Sequence, residues 1–308
     1  MLKFVVRRAL WIIPVLLAVA FITFSLMHLV PGGPWDREKT LAPQVVENLN
    51  RKYGLDKPFV VQFGNYIWGV LRGDLGISYQ YQNRAVTDIL REGLPKTASL
   101  GIIAFALALL IGIPLGMAAA LKQNSAIDYA SVFFSTIFAS IPGFVLGILL
   151  MILFSAVLHL LPAGGWGGLG DVKKLIMPSF ALAALPAAYI ARITRASMLE
   201  VMRQDYVRTA RAKGLAERTV MARHMLRNAL IPVMTIAGPE LAFLVSGSFI
   251  VENLFSIPGI GRLFVLGVGA RDYGLIMGTI LFYAFTVALV NLIVDVLYAV
   301  VDPRIRYD

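Results

Sequence analysis

Long uncharged, apolar runs alternate along this chain with short charged stretches. The first run extends from Ala9 to about Val30, between Arg8 and Asp36. A helix needs about 20 apolar residues to cross the hydrocarbon core, so this run predicts a membrane-spanning helix. It contains Ala18-Val19-Ala20, which resembles a signal-peptidase site. Because the apolar segment continues to Val30, longer than the apolar part of a signal peptide, we interpret residues 1–30 as a retained first span.

Five more runs of this kind follow, and together they predict an all-α polytopic membrane protein with six transmembrane helices. Lys96 and Lys122 bracket the second run, and Asp128 and Asp171 bracket the third, which we expect to end at Leu161-Pro162. The predicted transmembrane core occupies 98–301. Its helices are expected at about 98–121, 129–160, 176–197, 229–251 and 275–300.

The Lys and Arg residues of the short connections predict the orientation, since cytoplasmic loops carry an excess of them. With the N-terminus inside, the inner segments hold 15 such residues and the short outer loops hold four. We therefore predict that both termini are cytoplasmic and that 302–308 forms a cytoplasmic tail. The long segment 31–97 is also basic, but loops of that length largely escape the rule.

Segment 31–97 is predicted to form a small helical subdomain outside the cytoplasm. The residues VVENLNRKYG indicate a short helix stopped by Gly54, and Pro58 suits the first turn of another. An apolar stripe then recurs at helical spacing, at Phe63, Tyr66, Ile67 and Val70. Apolar side chains on one face of a helix are expected to pack against another part of the protein or a partner. We expect it to cap the spans, with a dock for an extracytoplasmic binding protein as the alternative.

The composition is that of a membrane protein, and the sequence lacks several catalytic and metal-binding motifs. The chain is 58% hydrophobic and 15% charged, with a mean hydropathy of +0.75. It has no cysteine, no P-loop lysine, no His-Glu-x-x-His and no Gly-x-Ser-x-Gly. The three histidines, His28, His159 and His224, show no metal-ligand spacing to one another. The sequence therefore predicts a protein that is not an enzyme and holds no cofactor or metal.

Two carboxylates lie within the apolar spans, and buried charge in a membrane is costly enough to suggest a role. Glu240 follows Gly238-Pro239, where the missing backbone donor can open the helix. It is either part of a translocation path or gate, or a carboxyl in an internal polar contact. Asp295 lies near the inner end of the sixth span, and we expect it to pair with Arg304 or Arg306.

The inner loop 199–229 is the one sizeable connection on the predicted cytoplasmic side. Arg203 to Lys213 lacks proline and glycine and favours a helix. Small side chains at Val207, Ala210 and Gly214 share one face, which we expect to allow close approach of a partner. Gly214 then stops the helix in a sharp turn. In the second arm Met221 and Met225 face one way and Arg223 and Arg227 the other.

This pattern predicts a stiff helix-turn-helix held between two spans, for which several partners are conceivable. The basic residues could contact lipid phosphates as an ordinary positive-inside loop does. Nucleic acid is not favoured, since no aromatic stacking platform accompanies the charge. Glycines four apart at Gly112/Gly116, Gly143/Gly147 and Gly274/Gly278 suggest close contacts between helices.

The segment from Arg208 through Gly214 to Pro232 resembles the "EAA" loop of ABC importer permeases, although Arg208-Thr209-Ala210 stands where the general pattern has Glu-Ala-Ala. The versions TARAKGL and RHMLRNALIP are similar to those of the peptide-transporter branch. Further motifs of that branch occur in order along nearly the whole chain: MLKFVVRRAL, KYGLDKP, GDLGISY, LPKTASLG, LPAGGW, SFIVENLFSIPGIGRLFV, RDYGLIMG and VDVLYAVVDPRIRY. The chain thus resembles the B-type permease subunits of oligopeptide and dipeptide ABC importers.

The resemblance implies a type I ABC importer permease fold in the bacterial inner membrane, forming half of a peptide translocation path. It implies coupling to ATPases through the 203–218 helix, by residues Asp205, Tyr206, Arg208, Thr209, Ala210, Arg211, Ala212, Lys213, Gly214 and Leu215. The implied partners are a second homologous permease, two cytoplasmic ATPases that bind ATP and Mg, and an extracytoplasmic peptide-binding protein. A nickel or other small-solute importer is the alternative within the family. An ATP-independent channel or secondary transporter using Glu240 and Asp295 is the alternative outside it.

Overall fold

The computed structural model of the chain describes residues 2–35, 42–81 and 84–301, and in these residues the fold is a bundle of helices. The predicted tail 302–308, with Arg304 and Arg306, lies outside the described residues. The helices are α1 (Leu2–Leu29), α2 (Pro43–Tyr53), α3 (Phe59–Leu71), α4 (Val86–Leu121), α5 (Ala126–Ser140), α6 (Gly143–Leu150), α7 (Val172–Val201), α8 (Asp205–Ala212), α9 (Glu217–Thr219), α10 (Arg227–Ser246), α11 (Phe249–Leu254), α12 (Ile260–Gly269) and α13 (Tyr273–Val301). Two π-helical segments, Met151–Val157 and Val220–Leu226, extend α6 and join α9 to α10.

The six predicted spans are present, but the third is not a single helix. Five helical segments of the described chain are long and apolar enough to cross a membrane, and a sixth span results if α5 and α6 are counted together. These two helices meet at a 102° bend. The expected continuous helix 129–160 is therefore wrong. Ile141 is extended and is followed by Pro142, which disfavours helical backbone in the residue before it.

The second span begins earlier than predicted, so the expected boundary at residue 97 falls inside a helix. α4 starts at Val86 and continues through Pro95. Its first turns are apolar on one side, where Val86 and Leu90 pack in a cluster with Ile260 and Leu275. This burial stabilises helical backbone in a segment that hydropathy alone assigns to the outer subdomain.

The α4 and α7 helices approach each other closely along Gly112 and Gly116. A Cβ atom on Gly112 would lie 2.8 Å from the Ala187 carbonyl oxygen, and one on Gly116 would meet the backbone at Ala191. The other predicted glycine pairs are close contacts as well, since a Cβ on Gly143 would lie 3.1 Å from the Ala181 carbonyl oxygen and one on Gly274 2.5 Å from that of Ile77. Close contact between helices is therefore confirmed at Gly112, Gly116 and Gly143, whereas Gly274 meets Ile77, which lies outside the helices.

The outer subdomain contains the two predicted helices, and its apolar stripe is packed on the spans. α2 ends at Gly54, which adopts a left-handed conformation, and Pro58 immediately precedes α3. Side chains of the α3 stripe lie against Phe24 of α1 and against Met277 and Leu281 of α13. The stripe therefore caps the bundle rather than forming an open dock.

The α4–α7 contact yields a first testable prediction. We expect Gly112→Val to lower the midpoint of thermal unfolding of the purified protein in detergent, because the new side chain would push two backbones apart at a cost of about 1–3 kcal/mol. Gly64→Val is the matched control, since nothing lies within 4 Å of a Cβ at that position of α3. Equal midpoints for the two variants would show that α4 and α7 are not in close contact.

Candidate coupling site

The predicted docking helix is present as α8, which lies between two long helical arms. α7 ends at Val201, and α8 begins at Asp205 after a turn of three residues. Gln204 is the N-cap in extended conformation. Because the connection has only three residues, α8 cannot move far relative to the end of α7.

One face of α8 is buried in its own protein. Val207 is fully buried and Ala210 nearly so. They pack in a cluster with Ala120 of α4, Met198 of α7 and Ala229 of α10, together with Val220 and Met225. The expectation that Val207 and Ala210 face a partner is therefore wrong. They attach α8 to the inner ends of three spans, because Val207 is the most apolar side chain of an otherwise polar helix.

The turn after α8 is closed by Gly214, as the sequence predicts. Gly214 has φ of +76°, a conformation that glycine adopts at little cost. Its N–H donates to the Arg211 carbonyl, and the Leu215 N–H donates to the Ala210 carbonyl at 3.4 Å, which is the Schellman arrangement. The guanidinium of Arg211 also donates two hydrogen bonds to the Glu217 carboxylate, at 3.1 and 2.6 Å. These bonds raise the pKa of Arg211 above its ordinary value, so the pair across the turn stays charged.

The second arm of the loop is helical and joins the fifth span without a break. α9, the π-helical segment Val220–Leu226 and α10 follow one another directly. Met225 is buried in the cluster and Met221 is packed against it, while Arg223 and Arg227 are exposed. The predicted division of this arm into an apolar and a basic side is confirmed. The loop 199–229 is thus a short helix clamped between two continuous helical arms.

The exposed face of α8 carries most of the residues expected at a docking site. Ala210 is the exception and faces the cluster. Those facing outward are Asp205, Tyr206, Arg208, Thr209, Arg211, Ala212 and Lys213, followed by Gly214 and Leu215 in the turn. Arg208 lies 3.7 Å from the Asp205 carboxylate, a contact too exposed to fix either side chain. This face combines basic side chains with the apolar surfaces of Tyr206 and Leu215.

We expect Val207→Asn to detach α8 from the cluster, because the amide would be buried among methionine and alanine side chains without a partner. In inside-out membrane vesicles, trypsin should then cleave the 208–213 segment faster than in the parent protein. Ala212→Asn, on the exposed face of the same helix, should leave the cleavage rate unchanged. Equal rates in both variants would contradict the anchoring role of Val207.

The intramembrane carboxylate Glu240 lies on an unbroken helix. α10 contains both Pro232 and Pro239 in its interior and ends only at Ser246. The predicted opening of the helix at Gly238-Pro239 is therefore wrong. Glu240 is half-buried. The helix breaks instead at Gly247, whose φ of +106° is accessible to glycine.

A buried ion pair that the sequence analysis missed joins the third and fourth spans. Asp128, near the start of α5, is almost fully buried. It accepts hydrogen bonds from Arg195 Nε at 2.5 Å and Nη2 at 2.8 Å, and from the Asn124 N–H at 2.9 Å. Arg195 lies one helical turn before Met198, which belongs to the cluster that buries Val207 and Ala210. The sequence marked Asp128 as a span boundary and placed Arg195 inside the predicted helix 176–197, and nothing in it indicated that the two residues pair.

We expect Asp128→Asn to lower the thermal midpoint of the purified protein by several degrees, because the Arg195 guanidinium would lose its charge partner. Asp205→Asn is the matched control, since the Asp205 side chain is 96% exposed. Its midpoint should equal that of the parent. A midpoint for Asp128→Asn no lower than this control would rule out a stabilising ion pair.

A second missed carboxylate, Glu252, lies where α11, α12 and α4 meet. Glu252 is fully buried in α11, and its Oε2 accepts a hydrogen bond from the Gly261 N–H at 2.9 Å in the first turn of α12. The neighbouring N–H of Ile260 donates to Thr97 Oγ1 of α4 at 2.8 Å. The carboxylate thus satisfies free donors at a helix N-terminus. Sequence analysis placed Glu252 just beyond the fifth span and gave it no role.

Asp295 pairs with a residue other than those expected. Its carboxylate accepts a hydrogen bond from Arg8 of α1, so the ends of α1 and α13 meet at the same side of the bundle. His28 packs between the rings of Phe24 and Phe59. In the described ranges no group of three or more Asp, Glu or His residues is placed to hold a metal ion.

Comparison with known proteins identifies the family. The model of the family described as "Binding-protein-dependent transport system inner membrane component" matches residues 112–307, and the model of its N-terminal region matches residues 1–101. The chain is 45% identical to an oligopeptide transport system permease protein of Escherichia coli (strain K12) and 40% identical to that of Haemophilus influenzae, with all of both chains covered in each case. It is 41% identical to a putative peptide transport system permease protein of Brucella abortus, again over full lengths.

Solved structures show the same fold at lower sequence identity. A chain of the inward-facing MetNI methionine ABC transporter matches with a TM-score of 0.55 at 19% identity, covering 70% of this chain and 96% of that one. A chain of an amino acid ABC transporter solved with histidines matches with a TM-score of 0.52 at 18% identity, covering 71% and 95%. At such identities the likeness concerns the fold, which is that of a type I ABC importer permease.

Proposed function

The chain belongs to the family of binding-protein-dependent transport system inner membrane components, and on that basis we propose that it couples ATP hydrolysis by partner subunits to peptide import. It is a multi-pass permease of the bacterial inner membrane and not an enzyme. In the proposal, two cytoplasmic ATPases hold α8, a second permease completes the translocation path, and an extracytoplasmic binding protein delivers the peptide. ATP and Mg are bound by the ATPases.

The observation that carries this proposal is the construction of the loop 199–229. α8 exposes a basic and aromatic face while its other face is fixed to the ends of α4, α7 and α10. A subunit that held the exposed face and moved would therefore displace three spans together, with no flexible linker to absorb the motion. A loop that only contacted lipid phosphates would not need a helix packed against the ends of three spans.

Peptides are the cargo that the relatives favour. The proteins of Escherichia coli and Haemophilus influenzae that match over full length are named for oligopeptide transport. We therefore prefer peptides to nickel or another small solute.

The rival mechanism, in which Glu240 and Asp295 relay protons without an ATPase, is weakened by the pairing of Asp295 with Arg8. That contact joins α1 to α13, which gives the Asp295 carboxylate a structural role.

We expect Gly214→Val to abolish peptide uptake by cells while leaving the amount of assembled complex in the membrane unchanged. Positive φ is strongly unfavourable for a β-branched residue, so the turn that orients α8 would rearrange. Nothing lies within 4 Å of a Cβ at this position, so steric clash does not contribute. Gly214→Asn is the control, because asparagine tolerates this conformation and should retain most uptake.

The measurement is uptake of a labelled peptide, with the complex quantified by copurification of its ATPase subunits. Full uptake by a well-expressed Gly214→Val variant would refute the coupling role of α8. Uptake that persists without ATP, follows a proton gradient and disappears in Glu240→Gln would instead favour the secondary transporter.

A further inference from the structure

Helix α3 of the outer subdomain has three chemically distinct faces. Successive residues of a helix are rotated by about 100°, so residues three and four apart share a face. The first face is apolar and packed, and it lies against α1 and α13. It consists of Phe59, Phe63, Tyr66, Ile67 and Val70.

The second face of α3 is polar and borders a cavity. Gln62 and Asn65 line a cavity of about 440 Å³ together with basic residues of the α2 end, Arg51 and Lys52. The Gln62 Nε2 also donates to the Lys57 carbonyl at 2.7 Å. Gln62 and Asn65 therefore border this cavity and do not lie on the third side of the helix.

The third face of α3 is apolar but is not covered by the protein. Val60 is 77% exposed, Trp68 57% and Leu71 73%, and Val61 lies beside them. At 100° per residue these side chains fall on one continuous arc, separate from both the packed and the polar face. Large apolar side chains side by side on such an arc indicate a contact with another apolar medium.

The contacts of α3 place it at the depth of the bilayer. Phe21 of α1 contacts Phe63 with ring centroids 5.5 Å apart. Phe21 precedes the last residue of α1, Leu29, by eight residues, which at 1.5 Å per residue is about 12 Å along the helix. The length from Arg8 to Leu29 is about 32 Å, which matches the roughly 30 Å of the hydrocarbon core. Phe63 therefore meets α1 well inside the span.

The contacts with α13 give the same depth independently. Leu281 packs in the cluster that includes the α3 stripe, and it follows Tyr273, the first residue of α13, by eight residues. The ends of α3 are also suited to a membrane. Lys57 lies just before the helix, and the Arg72 guanidinium carbon after it lies 4.5 Å from the Trp68 ring centroid. Cations at such positions reach lipid phosphates while their stems cover apolar surface.

We propose that α3 is immersed in the bilayer leaflet opposite the coupling loop, with Val60, Val61, Trp68 and Leu71 in contact with phospholipid acyl chains. On α1, which packs against α3, Phe21 and Ile22 are also half exposed. The segment predicted as an extracytoplasmic subdomain is then partly a membrane-inserted element. Its polar face remains open to water through the cavity at Gln62 and Asn65.

The absence of cysteine from the chain allows a direct test by single nitroxide labels. Val60→Cys and Trp68→Cys place the label on the proposed lipid face, and Asn65→Cys on the same helix is the matched control. The labelled chain is studied in its assembled complex in phospholipid nanodiscs, with the signal of the cysteine-free parent subtracted. Collision rates are measured with oxygen, which concentrates in acyl chains, and with a water-soluble nickel chelate.

At Val60→Cys and Trp68→Cys we expect frequent collisions with oxygen and few with the nickel chelate, and the reverse balance at Asn65→Cys. Frequent collisions with the chelate at all three positions would show that this face lies in water. Few collisions with either reagent at Val60→Cys and Trp68→Cys would show that another protein chain covers it. Either result would overturn the proposal, and neither depends on whether α8 couples to an ATPase.

Discussion

The packing of Val207 and Ala210 beneath α8 is the contact on which the coupling arrangement depends. A helix of eight residues has little stability of its own, so its order must come from burial against the rest of the protein. That burial is supplied by side chains of α4, α7 and α10. The outward face can then carry basic side chains beside the exposed Tyr206 and Leu215, because burial of the opposite face holds the helix in place.

One long helix connects this inner contact to the outer face of the bundle. α4 has 36 residues and is therefore about 54 Å long. At one end Ala120 belongs to the cluster beneath α8, and 11 residues from the other end Thr97 accepts a hydrogen bond from the first turn of α12, beside Glu252. Along its middle, Gly112 and Gly116 keep it in close contact with α7. In the proposed mechanism, a displacement of α8 therefore moves a unit that reaches the outer segments without an intervening loop.

The sequence predicted the spans and the inner loop well, because both depend on local patterns. Runs without charge identify helices that cross a bilayer, and Gly214 with its neighbours identifies a helix stop. What could not be predicted depends on which elements meet. The partner of Asp128 is 67 residues away, and Thr97 lies 163 residues from Ile260. The inward direction of Val207 likewise follows from the position of three spans. The bend at Pro142 had a local signal, but an apolar run longer than one span was read as a single helix.

The peripheral helices α1, α3 and α13 are joined to each other differently from the core helices. α1 and α13 are held at one end by the Arg8–Asp295 pair and towards the other by the aromatic and aliphatic cluster that includes the α3 stripe. These contacts use large side chains, whereas α4 and α7 meet through glycine and alanine backbones. Close backbone contact favours movement of two helices as one body, because any relative shift of interlocked backbones creates clashes. Helices α1 and α3, in contrast, are attached through side chains that have alternative rotamers. They are therefore the part of the chain best suited to stay with the lipid in the proposed cycle, in which α4, α7 and α10 move with α8.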